Sequence, residues 1–375
     1  MDKDLLEDGN SSNKKRTIHI ILIAVIVLVV LAIILGLVFG LRKKSKNSGD
    51  EDDVEIVNSY TNTEELMKKY PLENPITILG VLEENIQNRL LTGFENWNRG
   101  YKAWKKWGNI LYTNASIYNV HGARLTLSQY QAAMDIALKQ TTILMGDFHN
   151  MLICEDFTAI YYDFITVVGE NKIYGTVMEF VKFKDYENNL GTRVVVGWGS
   201  VKDDSYYGMI NFQGDDEKMI QAEQELLLKN YEIPSETNLR LKYPVLYPSN
   251  YTGNLKANAF IDIILEGFDK WNEDKDSYLN FVDKKYSTDA ISCGLEGKNR
   301  TMIEYKSEIN SLFDREKIEK LYFDNILIRD DWAALHYRYR RVVTSTNEKS
   351  VGDRMQFLKF KQDGDEYIIE ASFVK

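Results

Sequence analysis

Phe148-His149-Asn150-Met151-Leu152-Ile153-Cys154-Glu155-Asp156-Phe157-Thr158-Ala159-Ile160-Tyr161-Tyr162 returns 175 residues later as Phe323-Asp324-Asn325-Ile326-Leu327-Ile328-Arg329-Asp330-Asp331-Trp332-Ala333-Ala334-Leu335-His336-Tyr337. Seven of the fifteen positions are identical, and Met/Ile, Glu/Asp, Phe/Trp and Ile/Leu exchanges fill others. Each copy reads as a strand, an acidic turn and a second strand. A repeat of this period decides the architecture before any local reading does.

The match extends outward from that stretch. Four of the five prolines fall in two copies of one motif, Lys69-Tyr70-Pro71-Leu72-Glu73-Asn74-Pro75 and Lys242-Tyr243-Pro244-Val245-Leu246-Tyr247-Pro248. Proline fixes its own φ and turns the preceding residue away from helix, so both motifs predict an extended lead-in. A helix should follow each. Leu82, Ile86, Leu90, Phe94 and Trp97 form one apolar stripe, and Phe260, Ile264, Phe268 and Trp271 form its counterpart. Matching signatures close them, Gly93-Phe94-Glu95-Asn96-Trp97-Asn98 and Gly267-Phe268-Asp269-Lys270-Trp271-Asn272. Aromatic segments come next, through Trp104 and Trp107 to Tyr112 and through Tyr278 and Phe281 to Tyr286.

A third helix is announced in both copies by a capping box, Thr126-Leu127-Ser128-Gln129 and Thr301-Met302-Ile303-Glu304. Beyond the two opening strands, Gly175–Phe183 aligns with Gly352–Phe360. Last strands are expected at Arg193–Trp198 and Tyr367–Val374. Three helices followed by long strands is an α+β pattern, with helices on one face of an antiparallel sheet. The repeat units run over residues 63–215 and 236–375. A connecting helix is expected within 216–235, from the spacing of Ile220, Leu226 and Leu227 in Glu217–Asn230.

The N-terminus has a different character. Residues 1–16 are a polar tail ending in Lys14-Lys15-Arg16, and Thr17–Leu41 is a 25-residue run without Asp, Glu, Lys or Arg. As a helix it would be about 37 Å long, enough to cross a hydrocarbon core of roughly 30 Å with some tilt. It is too long for a signal peptide and lacks an A-x-A-like exit, so a retained single-pass anchor in the lipid bilayer is expected. Basic residues flank both sides, which leaves orientation to the general tendency of such anchors to export the body they carry. Residues 42–62 read as a charged linker, with a solvated tether at Asn47–Asn58.

Residues 1–46 hold eight basic and four acidic residues, so the formal charge of -10 leaves the rest of the chain at -14. An acidic body without a clustered basic face argues against a nucleic-acid partner. Tyr337-Arg338-Tyr339-Arg340-Arg341 does not change that, because on a strand the rings and most of the cations point to opposite faces. Cys154 and Cys293 occupy non-equivalent repeat positions and fit no metal spacing. They read as buried thiols or as one disulfide between the units. No cofactor motif or metal-ligand cluster is visible.

The order of helices and sheet resembles the nuclear transport factor 2-like superfamily, in particular its SnoaL-like branch. The residues carrying the resemblance are His149-Asn150-Met151-Leu152-Ile153 with Asp156 and Ala159, and Asn325-Ile326-Leu327-Ile328 with Asp331 and Ala334, supported by Gly93-Phe94 and Gly267-Phe268. It covers about 300 residues as two tandem copies. The resemblance implies a cone in each copy, a bent sheet around three helices with a pocket at the open end. Members include dehydratases, isomerases, polyketide cyclases and non-catalytic binding domains, so the fold does not decide the function.

Enzymes of the family use a carboxylate or His as proton acceptor, with Tyr or a second acid polarising a carbonyl. Here the catalytic candidates are His121, Asp147, His149, Tyr161 and Asp163. Trp104, Tyr112, Tyr118 and Glu179 are candidate pocket residues of the first unit, and Tyr286, Glu296, Asp324, His336 and Gln356 of the second. Alternation places His149 with Met151 and Ile153 on one strand face, beside Asp147. A hydrogen-bonded structural role is the alternative for each His.

The repeat supplies a test. His121, His149, Tyr161, Asp163 and Glu179 become Glu296, Asp324, His336, Arg338 and Gln356 in the second unit. Two sites of the same chemistry would not differ at every ionisable position. The expectation is therefore a small-ligand or partner-binding protein without catalysis. An acid–base lyase or isomerase with its pocket in the first unit is one alternative, and a structural envelope protein recruiting partners is another. The superfamily's habit of pairing through sheet faces implies an intramolecular pseudo-dimer, in which Asp163 either opposes Arg338 or the two stand as separate pocket-lining or solvated charges.

Overall fold

The computed structural model describes residues 55–57, 63–120, 123–138, 141–186, 191–201, 231–293 and 299–374. The expected anchor at Thr17–Leu41 and the expected connecting helix at Glu217–Asn230 lie outside the described residues. Among the described residues, no helix is long and apolar enough to cross a membrane. The chain divides after Asp52, and the described residues all belong to the unit from Asp53 onward.

A short helix, α1 (Thr63–Lys69), leads into the first proline motif, whose Leu72–Asn74 forms strand β1. Helix α2 (Gly80–Arg99) carries the predicted stripe, with Ile86, Leu90, Phe94 and Trp97 buried. Leu79 offers no side-chain cap. Instead the Glu83 carboxylate accepts from the Leu79 N–H at 2.6 Å, satisfying one exposed donor of the first turn. Helix α3 (Tyr101–Leu111) follows at once. Gly93 is needed where the two helices meet, because a Cβ there would lie 2.5 Å from the Trp107 ring. Strands β2 (Tyr112–Val120) and β3 (Ala123–Thr126), helix α4 (Leu127–Ala137), and strands β4 (Thr142–Cys154), β5 (Phe157–Val168), β6 (Asn171–Tyr186) and β7 (Gly191–Val201) complete this half.

The second half repeats the plan. After α5 (Leu239–Lys242) come α6 (Leu255–Glu273), α7 (Lys275–Lys285), β8 (Tyr286–Cys293), β9 (Asn299–Arg300), α8 (Met302–Arg315), β10 (Glu316–Arg329), β11 (Trp332–Val343), β12 (Lys349–Asp363) and β13 (Glu366–Val374). Asn254 caps α6 by accepting from Ala257 N, and Asp274 caps α7 by accepting from Ser277 N. The capping box at Thr301 and Glu304 forms as the sequence predicts. Gly267 stands to Phe281 as Gly93 stands to Trp107, with a Cβ separation of 2.9 Å.

Apart from the edge strand β1, both sheets use one strand order, β1-β4-β5-β6-β7-β2-β3 in the first and β10-β11-β12-β13-β8-β9 in the second. Val245, in the second proline motif, bridges Phe323 in parallel, as β1 pairs in parallel with β4. The sheets are not purely antiparallel as expected. β2 lies parallel to β7 and β8 parallel to β13, because those strands arrive from a helix rather than through a hairpin. The acidic turns are two-residue hairpin connections with Glu155 at φ 56° and Asp330 at φ 54°, a conformation few residues without glycine's freedom adopt.

Each sheet buries one face against its own helices. Phe148, Met151, Ile153, Ile160 and Tyr162 pack against the α2 stripe, and Phe323, Ile326, Ile328, Leu335 and Tyr337 against the α6 stripe. Fully burying such a side chain stabilises by about 1.5–3 kcal/mol. Two hydrogen bonds fix the helices at equivalent heights: Trp97 Nε1 donates to Ile143 O and Trp271 Nε1 to Ile318 O, both at 2.8 Å. The opposite faces pack on each other, where Leu152, Phe157, Ala159, Met178 and Phe180 meet Leu327, Trp332, Ala334, Met355 and Phe357 in a third core.

The end of the expected tether is not solvated. Val57 is buried, and the Asn96 amide donates to its carbonyl and accepts from its N–H, at 2.9 and 2.8 Å. An apolar residue with both backbone groups satisfied gains more from docking than from water.

Candidate functional site

The expected site residues separate by sheet face. Trp104 is buried against Trp97 in the first helical core, and Glu179 lies on the same side, accepting from the Tyr162 hydroxyl at 2.9 Å. Tyr286 and Gln356 line the corresponding core of the second half. Tyr112 and Tyr118 fall on β2, with side chains outside the described set, and His121 and Glu296 lie outside the described residues. Asp147 is exposed. His149, Tyr161 and Asp163 come together, and they do so on the face that meets the other sheet.

That placement corrects the strand alternation. The register of β4 on β5 slips between Met145 and Phe148 and again between Phe148 and Asn150. The bulge leaves Phe148 facing the helices with Met151 and Ile153, and turns His149 to the other side. His149 therefore pairs with neighbours other than Asp147. Its Nε2 lies 2.8 Å from Asp163 Oδ1 and its Nδ1 lies 2.8 Å from Glu73 Oε2. The hydrogen bond to Asp163 is the main reason its pKa rises to about 9, with Glu73 adding and burial opposing. At neutral pH His149 is an imidazolium held between two carboxylates, with both N–H groups in use.

Beside it is a cavity of about 350 Å³ between the two sheets. Tyr161 from β5, Trp332 from β11 and Phe373 from β13 provide aromatic walls. Asn150, 1% exposed, lines it, and neither Nδ2 nor Oδ1 of its side chain has a hydrogen-bond partner. Thr176 Oγ1 is likewise buried and unpartnered on the same wall. All three atoms are closed off from solvent, as is the unpaired Asn325 Oδ1 at the equivalent position of the second half, so they belong to the packing behind the wall rather than to its open surface. The volume falls in the range of small-molecule sites.

The second half places charge at the same two strand positions with the signs exchanged. Arg338 Nε donates to Asp324 Oδ2 at 2.9 Å, where the first half has Asp163 and His149. Asp163 therefore does not serve as the partner of Arg338 across the seam, because each strand pair neutralises its own charge locally. His336, fully buried, lies 2.9 Å from Asp353 Oδ2 through Nε2 and 3.5 Å from Asp324 Oδ2 through Nδ1.

One functional group was not anticipated. Lys320 is 8% exposed, and its ammonium sits 4.4 Å from the ring centroids of both Phe268 and Trp271 and 5.6 Å from those of Tyr278 and Tyr337. Burial, with a smaller repulsion from Arg354, brings its pKa down to about 7. Cation–π attraction to four rings holds the charge where, among the described residues, no carboxylate pairs with it. The cavity at this lysine measures about 30 Å³, room for about one water and no substrate. In the sequence Lys320 hides in Glu316-Lys317-Ile318-Glu319-Lys320, which reads as a solvated run. The signal that finds it is its repeat partner Met145, since Asn98 Oδ1 accepts from Met145 N as Asn272 Oδ1 accepts from Lys320 N.

Cys154 is a buried free thiol, donating to Ile328 O at 3.2 Å, with its pKa pushed up by burial. The Cys293 side chain lies outside the described set. Among the described residues, no group of three or more His, Cys, Asp or Glu is placed to hold a metal ion.

No family model matches this sequence, and no curated protein matches it. Solved structures do. A ketosteroid isomerase-like protein from Erwinia carotovora atroseptica is 10% identical, with 32% of this chain and 95% of that one covered and a TM-score of 0.28. A SnoaL-like polyketide cyclase from Jannaschia is 10% identical, over 37% of this chain and 99% of its own, at a TM-score of 0.29. An NTF-2-like protein of unknown function from Shewanella oneidensis is 12% identical, over 32% and 98%, at 0.24. Each spans about a third of this chain.

Proposed function

We propose that this protein is a non-catalytic binding module. In this reading two tandem nuclear transport factor 2-like domains of SnoaL-like type form an intramolecular pseudo-dimer. They stand behind a single-pass anchor at Thr17–Leu41, with the body on the extracytoplasmic side, and take a small ligand between their sheets. The observation that carries it is the cavity of about 350 Å³ between the sheets, walled by Tyr161, Trp332 and Phe373 beside the His149 cluster. The repeated strand order and the third core between the sheets support the pseudo-dimer.

The acid–base alternative finds less support. A base must be unprotonated at working pH, and His149 keeps its proton to about pH 9. It also faces the seam rather than the helical core where the family's chemistry would be expected. The second half's core is filled around Lys320.

The test is a thermal-shift screen of small molecules on the full chain in detergent, with wild type and Phe373→Ala in parallel. Compounds that stabilise only the wild type support the reading. Hits that stabilise both proteins equally, or no hits at all, overturn it. Protease added outside intact cells should degrade the body, whereas protection would reverse the orientation.

A further inference from the structure

The charge beside the cavity is not balanced. His149 takes one oxygen from each carboxylate, Asp163 Oδ1 and Glu73 Oε2, both at 2.8 Å. An imidazolium between the two leaves one net negative charge, and a neutral imidazole would leave two. The cluster is negative in either state. Each carboxylate also keeps its second oxygen. Among the described residues no group donates to Asp163 Oδ2 or Glu73 Oε1, and the two side chains are open, at 40% and 58% exposure.

Tyr161 joins this charge to the aromatic wall. Its ring lies 4.7 Å from the imidazole and 5.8 Å from Phe373, and Phe373 lies 6.2 Å from Trp332 at 29°. The face of an aromatic ring carries negative potential, so the wall has the same sign as the carboxylates. A cleft of one sign between low-dielectric walls focuses its field on whatever enters. Among the described residues, the lining holds no Lys or Arg. Lys359 reaches the Trp332 ring, at 5.9 Å, but it pairs with Glu370 at 3.0 Å and is not part of the lining. An anion would enter against this field, and a neutral molecule would gain nothing from it.

We propose that the cavity takes an organic cation, a protonated primary or secondary amine on an apolar, ring-sized body. Its N–H donates to Asp163 Oδ2 in a charge-assisted hydrogen bond. Glu73 adds its charge from the more exposed side, and the body lies on Phe373 and its neighbouring rings. The class rests on reading the cavity as a binding site, and the experiment separates the two.

Benzylamine, benzyl alcohol and benzoate share a ring and differ in charge. Each is titrated by calorimetry at neutral pH against the full chain in a non-ionic detergent, with the heat from detergent alone subtracted. Benzylamine should bind at least about tenfold more tightly than benzyl alcohol, with benzoate the weakest. Asp163→Asn should cost benzylamine at least about tenfold and leave benzyl alcohol unchanged, and Phe373→Ala should weaken every probe that binds. If benzyl alcohol comes within about tenfold of benzylamine, or benzoate binds more tightly than either, the cavity is still a site and the cationic class is overturned. That comparison needs only the wild type, so it stands even where Asp163→Asn fails to fold. An Asp163→Asn protein that melts like wild type and binds benzylamine unchanged overturns the class too, as does benzylamine binding that Phe373→Ala leaves intact. If none of the probes binds, the cationic class fails at its own test, and the thermal-shift screen decides the binding reading separately.

Discussion

Arg329 crosses the seam from the β10 turn to Glu83 on α2, and both side chains are almost fully buried, at 10% and 4% exposure. The guanidinium also donates to Ile153 O through Nε at 3.0 Å and Nη2 at 2.7 Å, while Glu83 accepts from the N–H groups of Leu79 and Glu155. A buried charge stripped of its partner keeps its desolvation cost. Arg329→Met alone should therefore destabilise by about 3–5 kcal/mol. Adding Glu83→Gln should recover a substantial part of that loss. Denaturant unfolding of the single and double variants measures the coupling, and simple additivity would show that the pair does not act as a unit.

His149 links stability to pH. Its folded pKa of about 9 lies above its ordinary 6.5, so the stabilisation is full below pH 6.5 and is lost as pH rises from there through 9. His149→Gln should flatten the stability profile in that window. NMR titration of the imidazole should give a midpoint near 9, and a midpoint near 6.5 would contradict the clamp.

Lys320 should act with the opposite sign. Its folded pKa of about 7 lies below its ordinary 10.5, so the unfolded chain binds the extra proton between those values. Stability from this group therefore rises as pH climbs from 7 towards 10.5. Lys320→Met, which copies Met145, should stabilise at pH 7 by about 0.5–2 kcal/mol and abolish that slope. Thermal melts at pH 7 and pH 10 compare the two proteins.

Two glycines should rank by the space they leave. Gly93→Ala drives a Cβ to 2.5 Å from Trp107, and Gly267→Ala to 2.9 Å from Phe281. Overpacking costs about 1–3 kcal/mol, against about 1 kcal/mol of helix propensity gained. Gly93→Ala should be clearly destabilising and Gly267→Ala nearer neutral, as read from urea midpoints.

The sequence disclosed what depends on spacing and missed what depends on register. The Ile86–Trp97 stripe, the Thr301 capping box and the acidic turns were legible because each is a local pattern. The face of His149 was not, because the bulges flanking Phe148 arise from pairing with β5 and leave no mark in composition. Which of the two arrangements Asp163 and Arg338 adopt was not legible for a related reason. A pseudo-symmetric alignment shows which positions correspond, yet not whether charge is neutralised within a strand pair or across the seam. Lys320 was missed because flanking Lys317 and Glu319 made its run look solvated. The Asn150 amide could be named as a shared position, and its burial together with that of Asn325 makes it part of the fold.

The contacts between the halves also bear on the order of folding. Trp97 to Ile143 and Trp271 to Ile318 join residues 46 and 47 apart, whereas Arg329 to Ile153 and Thr77 to Asp330 join residues 176 and 253 apart. Closing a longer loop costs more entropy before any contact rewards it. Each half can gather its own helices and sheet early, and the seam, with the cavity it encloses, then becomes the last part to form. Its substitutions should speed unfolding while leaving the folding rate nearly unchanged.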